Sequence, residues 1–336
     1  MVQFDIRYAA LPNGSHVGYG VAGRGPAFMF TPGTVAFSDF QHMPWIHEEW
    51  GVMADSHTFV VYDHPGGGTS RQALADYSLY GLESEIAAVA DAADLEEFVL
   101  FTCAGDSPSA IKYAADNASR ISALIIANGW ARARDRVRRD EAMEYFRAIQ
   151  NDWDMLAEAT IRLMATGMGS RGQRTASAVR RATTPEAFIA FQDAVADHDA
   201  SSFLEQVVAP TLLLHSPSNV YVPISVPEAM LRRMPNAQLV CIEFEGTMKP
   251  LVEATQRFLS NRDGLATSAT TGPAELTDRQ CDVLRHLVAG ATNAEIAAAL
   301  TLSQRTVARH LSDIYGKIGV HNRLAAANWA REHGVG

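Results

Sequence analysis

The chain has 336 residues, long enough for two domains. Hydrophobic residues make up 47% and charged residues 20%, an ordinary balance for a globular protein; no apolar run approaches the ~20 residues of a membrane span, so no membrane partner is expected. The net charge of −10 argues, as an average over the chain, against a nucleic-acid partner. Cys103, Cys241 and Cys281 lie far apart with no metal-ligand spacing. They predict a reduced, cytoplasmic setting, with no metal and no cofactor. Met1-Val2-Gln3-Phe4-Asp5 lacks the basic start of a secretory signal, so none is expected.

In chain order, residues 3–9 and 16–22 alternate like two strands around a turn at Pro12-Asn13-Gly14. Ala27-Phe28-Met29-Phe30 and Thr58-Phe59-Val60-Val61-Tyr62 read as short buried strands, each followed by a glycine-containing loop. The loop Gly66-Gly67-Gly68 has no Lys-Ser/Thr after it, which excludes a phosphate-binding P-loop. Residues 80–93 carry Leu82, Ile86, Val89 and Ala90 at helical spacing. Val99-Leu100-Phe101-Thr102-Cys103-Ala104-Gly105-Asp106-Ser107-Pro108 then runs from an apolar strand through a tight small-residue turn into a helix, and Ile121–Ile126 is a further buried strand. Strands alternating with helices predict a mostly parallel sheet covered on both faces.

The strand–turn–helix at residue 104 resembles the nucleophile elbow of α/β-hydrolases, whose motif is G-x-S-x-G. His64-Pro65-Gly66-Gly67-Gly68-Thr69-Ser70 after Asp63, and Ser119-Arg120-Ile121-Ser122-Ala123-Leu124, are similar to further segments of that family. The resemblance implies an α/β-hydrolase fold with a helical cap over its pocket, the cap falling at about 132–202. That stretch holds Met143, Phe146, Ile149, Trp153 and Phe188, and a basic run Arg132, Arg134, Arg136, Arg138, Arg139 that reads as a solvated helix face. The spacing to Ile121–Leu124 puts Ala104 at the nucleophile position. Asn219 falls where the family has its acid and Met248 where it has its histidine. No residue of a Ser-His-Asp triad is then present, and no catalytic residue is assigned. The rival register makes Ser107 the nucleophile, with Pro108 directly after it. The resemblance further implies a pocket lined by Thr34, Val35, Phe37, Ala104, Gly105, Trp130, Tyr221 and Met248.

Strands resume at Thr211–His215 and at Leu239–Ile242. Residues 262–273 are small, polar and unpatterned and read as a linker between a domain at 1–261 and one at 274–336. Beyond it, Thr277 and Gln280, and Thr292 and Glu295, are spaced as capping boxes, and Val307, Leu311, Ile314 and Ile318 form an apolar helix stripe. Two short capped helices joined by Leu300-Thr301-Leu302 predict a helix-turn-helix. Leu276-Thr277-Asp278-Arg279, Asn293-Ala294-Glu295-Ile296-Ala297 and Leu302-Ser303-Gln304-Arg305-Thr306-Val307-Ala308-Arg309-His310-Leu311 resemble the LuxR-type DNA-binding domain. From residue 273 onward the chain has seven basic and six acidic residues, so the acidity belongs to the N-terminal part. The resemblance implies that Thr306, Val307, Arg309 and His310 face the DNA groove. It makes Thr292, Asn293, Ser303 and Lys317 phosphate contacts, with Arg305 beside them.

The expected protein is therefore a transcription regulator and not an enzyme. Its hydrolase-like domain senses a small, mostly apolar effector, and its small all-α domain binds double-stranded DNA as a homodimer, with RNA polymerase a further partner. The alternatives are an active serine hydrolase tethered to DNA, and a hydrolase-like domain kept only as a dimerisation scaffold.

Overall fold

A computed structural model describes residues 2–32, 48–137, 139–164, 169–219, 221–243, 247–268, 276–288 and 290–304. Beyond these it describes Thr306, Val307, His310, Leu311, Ile314, Lys317 and 323–332. Its contacts divide the chain into two compact units, Met1–Phe258 and Leu259–Gly336.

In the first unit, β1 (Asp5–Ala10) and β2 (His16–Ala22) pair antiparallel, Asp5 opposite Val21. Asn13 holds their turn by accepting from the Ser15 amide and hydroxyl at 3.0 and 2.7 Å. β2 pairs antiparallel with β4 (Thr58–Tyr62). The remaining strands, β3 (Ala27–Phe30), β5 (Phe98–Cys103), β6 (Ile121–Ala127), β7 (Thr211–His215) and β8 (Ala237–Cys241), run parallel. The eight strands lie in the order β1-β2-β4-β3-β5-β6-β7-β8. The central strands are apolar throughout because helices cover both faces. Phe28, Phe30, Trp50 and Phe101 stack into an aromatic wedge, with Phe30 and Phe101 rings 4.7 Å apart.

Helix α1 (Leu79–Ala92) begins where Ser78 accepts from the Gly81 amide, and it buries Leu82, Ile86, Val89 and Ala90, the stripe expected from the sequence. Helix α2 (Ser107–Asp116) follows β5 directly. Between β6 and β7 the chain inserts α3 (Arg139–Ile149), α4 (Trp153–Met164), α5 (Gly169–Ala182) and α6 (Pro185–Val195). Met143, Phe146, Leu156, Ala159 and Phe188 give this cap its own small core. Helix α7 (Ser225–Leu231) lies between β7 and β8.

One expected boundary shifts. Helix α8 (Lys249–Ser268) continues through residues 262–268, which the sequence reads as linker. Small residues such as Ala266, Thr267 and Ser268 are compatible with a helix end, and composition alone does not mark where a helix stops. The linker's remaining residues, 269–273, lie outside the described ones.

The second unit contains α9 (Asp278–Val288), α10 (Asn293–Leu300) and α11 (Arg323–Glu332). Gln304, Thr306, Val307, His310, Leu311, Ile314 and Lys317 are helical as well. Both capping boxes form: Thr277 with Gln280, and Thr292 with Glu295. Val283, Leu284, Leu287, Ile296, Val307, Leu311, Ile314, Ala326 and Ala330 close a separate core. Helix α10 ends on Thr301 in the left-handed region, φ 53°, at the turn of the helix-turn-helix.

Candidate functional site

The site of the first unit is built by the turn at the end of β5. Cys103 is extended, Ala104 takes a left-handed backbone at φ 48°, and Gly105-Asp106 lead into α2. A residue with a Cβ at positive φ costs about 1–2 kcal/mol, and such strain clusters at functional positions. The sharp turn lifts residue 104 out of the strand line at the top of the sheet. Gly105 lies beneath the cap, where an added Cβ would meet the Phe191 ring at 3.3 Å.

The two candidate positions of the turn differ in their surroundings. Ser107 is fully buried in the first turn of α2, and its Oγ packs so closely that a Cβ on Gly129 would lie 2.1 Å away. Ala104 instead lines a small, partly open cavity. Trp130 and Tyr221 line it too, together with Asn219. Asn128, Arg136, Ala142, Met143, Phe146, Gln192 and Val222 complete the described lining.

Two expected lining residues stand elsewhere. Gly105 is covered by Phe191 and Val195 of α6. Met248 is absent from the described lining; its amide donates to Glu49 Oε2 at 2.5 Å, at the start of α8. Thr34, Val35 and Phe37 lie outside the described residues.

The lining also shows what the sequence reading missed. Arg136 was grouped with a solvated basic run. Arg132 and Arg134 are indeed exposed, but Arg136 is half-buried, with its guanidinium over the Trp130 ring at 4.2 Å. Residues Ala133–Asp135 form a tight turn and Arg136 is extended, so the run is not one helix face. Trp130 Nε1, Gln192 Nε2 and the Tyr221 hydroxyl are buried without a hydrogen-bond partner among the described residues. Burial pushes the Tyr221 phenol upward, with Arg136 opposing it.

A second polar cluster lies under the cap. His64 Nδ1 is 2.5 Å from Glu85 Oε2, and its Nε2 is 3.1 Å from Asp106 Oδ1. All three residues are buried. Burial alone would lower the His64 pKa, but the charges of Asp106 and Glu85 outweigh it and hold the ring well above its usual value. The ring is held between its two carboxylates and beneath Phe191, whose ring centroid is 5.2 Å away. Cys103, beside the turn, is pushed up to about 12 by burial, with Asp106 adding to it, so it is a thiol and not a thiolate at neutral pH.

In the second unit, Val307 corrects an expectation. It is fully buried in the helical core and so is not available to a groove. The apolar stripe it shares with Leu311 and Ile314 faces inward, and that period decides its side. Ser303 and Thr306 hydroxyls lie 2.7 Å apart, and Ser303 accepts from the Thr306 amide. The Thr292 hydroxyl is held by Glu295, Asn293 accepts from Arg323, and Lys317 donates to Gln280 at 2.9 Å. His310 is half-buried; Arg305 and Arg309 lie outside the described residues.

Comparison with known proteins separates the two units. Residues 274–330 match GerE, the bacterial regulatory proteins of the luxR family. The Fimbriae Z protein of Escherichia coli (strain K12) is 45% identical over 56 residues, 17% of this chain and 27% of that protein. The CsgBAC operon transcriptional regulatory protein of the same strain is 33% identical over 103 residues, 30% of this chain and 48% of that protein. The chain thus spans from about a quarter to a half of these curated relatives. The N-terminal part is similar to RutD of Caulobacter sp. (strain K31), 24% identical over 189 residues, 54% of this chain and 70% of that protein. Among solved structures, a bromoperoxidase from Bacillus anthracis superposes with TM-score 0.65 at 17% identity, over 76% of this chain and 100% of its own. An esterase from Exiguobacterium antarcticum superposes at 0.62 and 17% identity, over 79% and 99%. These likenesses show the α/β-hydrolase fold.

Proposed function

We propose that this chain, a LuxR-type DNA-binding regulator carrying an α/β-hydrolase-like domain, uses that domain to capture a small, mostly apolar effector and not to cleave it. The observation that carries this reading is Ala104, which stands at the strained elbow and opens onto the cavity with a methyl group where an acyl-transfer enzyme needs a nucleophile. Asn219 supports it: its side-chain oxygen accepts from the Tyr221 and Val222 amides at 2.9 and 3.0 Å, so it shapes a turn. Among the described lining residues there is no histidine to act as base. Ser107, the rival nucleophile, is fully buried and is absent from the described lining.

An effector that fits one arrangement of the cap better than another shifts the equilibrium by its differential affinity. That coupling is of order 1–3 kcal/mol in typical regulators. The helix-turn-helix units bind DNA as a homodimer on paired half-sites, with Thr306, His310 and Arg309 at the groove and Thr292, Asn293, Ser303, Arg305 and Lys317 toward phosphates. Two measurements test the reading. Purified protein should show no ester turnover above background, and Ala104→Phe should fill the cavity and abolish effector response in cells. Ester turnover that Ser107→Ala removes, or an unchanged response in Ala104→Phe, would overturn it.

A further inference from the structure

We infer that two copies of this chain associate through the open edge of β1, pairing antiparallel about a two-fold axis at Ile6, so that Asp5 of one copy meets the partner's Arg7. This goes beyond the effector reading and stands independently of it; it supplies a surface for the paired copies proposed on DNA.

The edge comes first. β1 ends the strand order, with β2 on one side and no strand on the other among the described residues. The ladder tells which backbone groups face outward. The Asp63 amide donates to the Gly18 carbonyl at 3.0 Å, so Gly18 turns its polar groups toward β4 and away from Tyr8, its partner on β1. At the hairpin end the Leu11 amide donates to the Ser15 carbonyl at 2.8 Å, which keeps the same alternation. In an antiparallel ladder bonded and non-bonded pairs alternate, so Asp5, Arg7 and Ala9 bond to β2, while Ile6, Tyr8 and Ala10 offer N–H and C=O to the open edge. Such a row is a template for another strand.

The side chains make this edge complementary to itself. Charges on an edge strand usually repel a second strand. Asp5 and Arg7 have opposite signs, share one face and lie 2.7 Å apart at their charged ends, and both are exposed. Pairing centred on Ile6 sets each acid across from the other copy's base, and the four charges then alternate in sign. Pairing centred on Tyr8 or Ala10 sets no base across from Asp5, and a centre between two residues sets outward groups against inward ones. On the other face Ile6 and Tyr8 are 43% and 59% exposed. β2 places Gly20 and Gly18 opposite them, so β2 has no side chain directly across from either. The proposed register sets Ile6 on the partner's Ile6 and Tyr8 beside the partner's Phe4, apolar cross-strand pairs that stabilise a sheet. A two-fold interface uses one patch twice, which a strand with this symmetry of charge provides. Two short edges bury less than a standard interface, so association should depend on concentration.

The test uses the full chain in sedimentation velocity over a range of concentrations, with circular dichroism to check the fold of each variant. The unaltered chain should pass from monomer to dimer as concentration rises. Asp5→Arg and Arg7→Asp should each be monomeric where the unaltered chain is dimeric, because like charges then face each other across the seam. Mixed in equal amounts, these two variants should dimerise again, since one carries two bases and the other two acids. In a Cys241→Ser background, Ile6→Cys should form a disulfide-linked dimer under mild oxidation, as paired Cα atoms about 5.5 Å apart allow. Tyr8→Cys should not, because in this register residue 8 faces residue 4. A chain monomeric at every concentration overturns the inference. Dimers that both charge reversals leave intact, or that the mixture fails to restore, run through another surface and overturn it as well. Equal cross-linking of Ile6→Cys and Tyr8→Cys overturns the register.

Discussion

His64 sits between two carboxylates, and that placement sets a pH dependence with a definite sign. The folded-state pKa of His64 is raised well above its ordinary value, and that of Glu85 is raised by burial despite the opposing charge of His64. In both cases the folded chain holds protons that the unfolded chain releases earlier. Stability from His64 is therefore fully present below its unfolded pKa, about 6.5, and is lost as pH rises through the raised folded value. Denaturant midpoints should fall as pH climbs from about 6.5, and nitrogen-resolved NMR should show a doubly protonated His64 ring at pH 7.5. A neutral ring at that pH would refute the assignment. None of this was legible in the sequence. His64, Glu85 and Asp106 come from the loop after β4, from α1 and from the elbow, 21 and 42 residues from His64, and no periodicity links positions that far apart. Ala104 was legible because the elbow and the strand after it are local and fixed in spacing.

At the scale of elements, cap signals decide where the DNA-binding helices start. The Thr292 hydroxyl accepts from the Glu295 amide at 3.3 Å while Glu295 Oε2 accepts from the Thr292 amide at 2.7 Å. Both partners were visible as Thr-x-x-Glu before a short apolar run. Thr292→Ala should destabilise the second unit by about 1 kcal/mol, read as a lower melting temperature by circular dichroism; no shift would mean that α10 does not depend on its cap. The cap over the hydrolase-like sheet was legible as an insertion, but its orientation was not. Amphipathic spacing shows that Met143 and Phe146 lie on one face of α3 without saying that this face also borders a cavity. The basic run misled for a related reason. Arginines at alternate positions read as one solvated surface, whereas a tight turn at Ala133–Asp135 parts Arg136 from its neighbours.

At the scale of the whole molecule, the charge is divided unevenly. The part before residue 273 carries a net charge of −11 (21 basic, 32 acidic residues), and the segment from there on is +1 (seven basic, six acidic). DNA affinity should therefore come from local cations and fall with salt in proportion to the number of phosphates they meet. Arg305→Ala should weaken binding across all sequences and flatten the salt slope by about one if the side chain meets one phosphate. His310→Ala should instead relax sequence preference, measured by competition with altered half-sites. An Arg305→Ala protein with unchanged affinity and salt slope would place the contact surface elsewhere.

The left-handed backbone at Ala104 leaves behind a mounting point. Any side chain placed there stands at a sharp corner of the chain that borders the cavity. Ala104→Cys would set a thiol on that corner, and thiols attack electrophiles without the partner base a serine requires. Haloacetamides should then label residue 104 much faster than Cys103, whose thiol stays protonated up to about 12. An environment-sensitive dye attached at that corner would report cavity occupancy in real time, on free protein and on protein seated on DNA, from a single engineered atom.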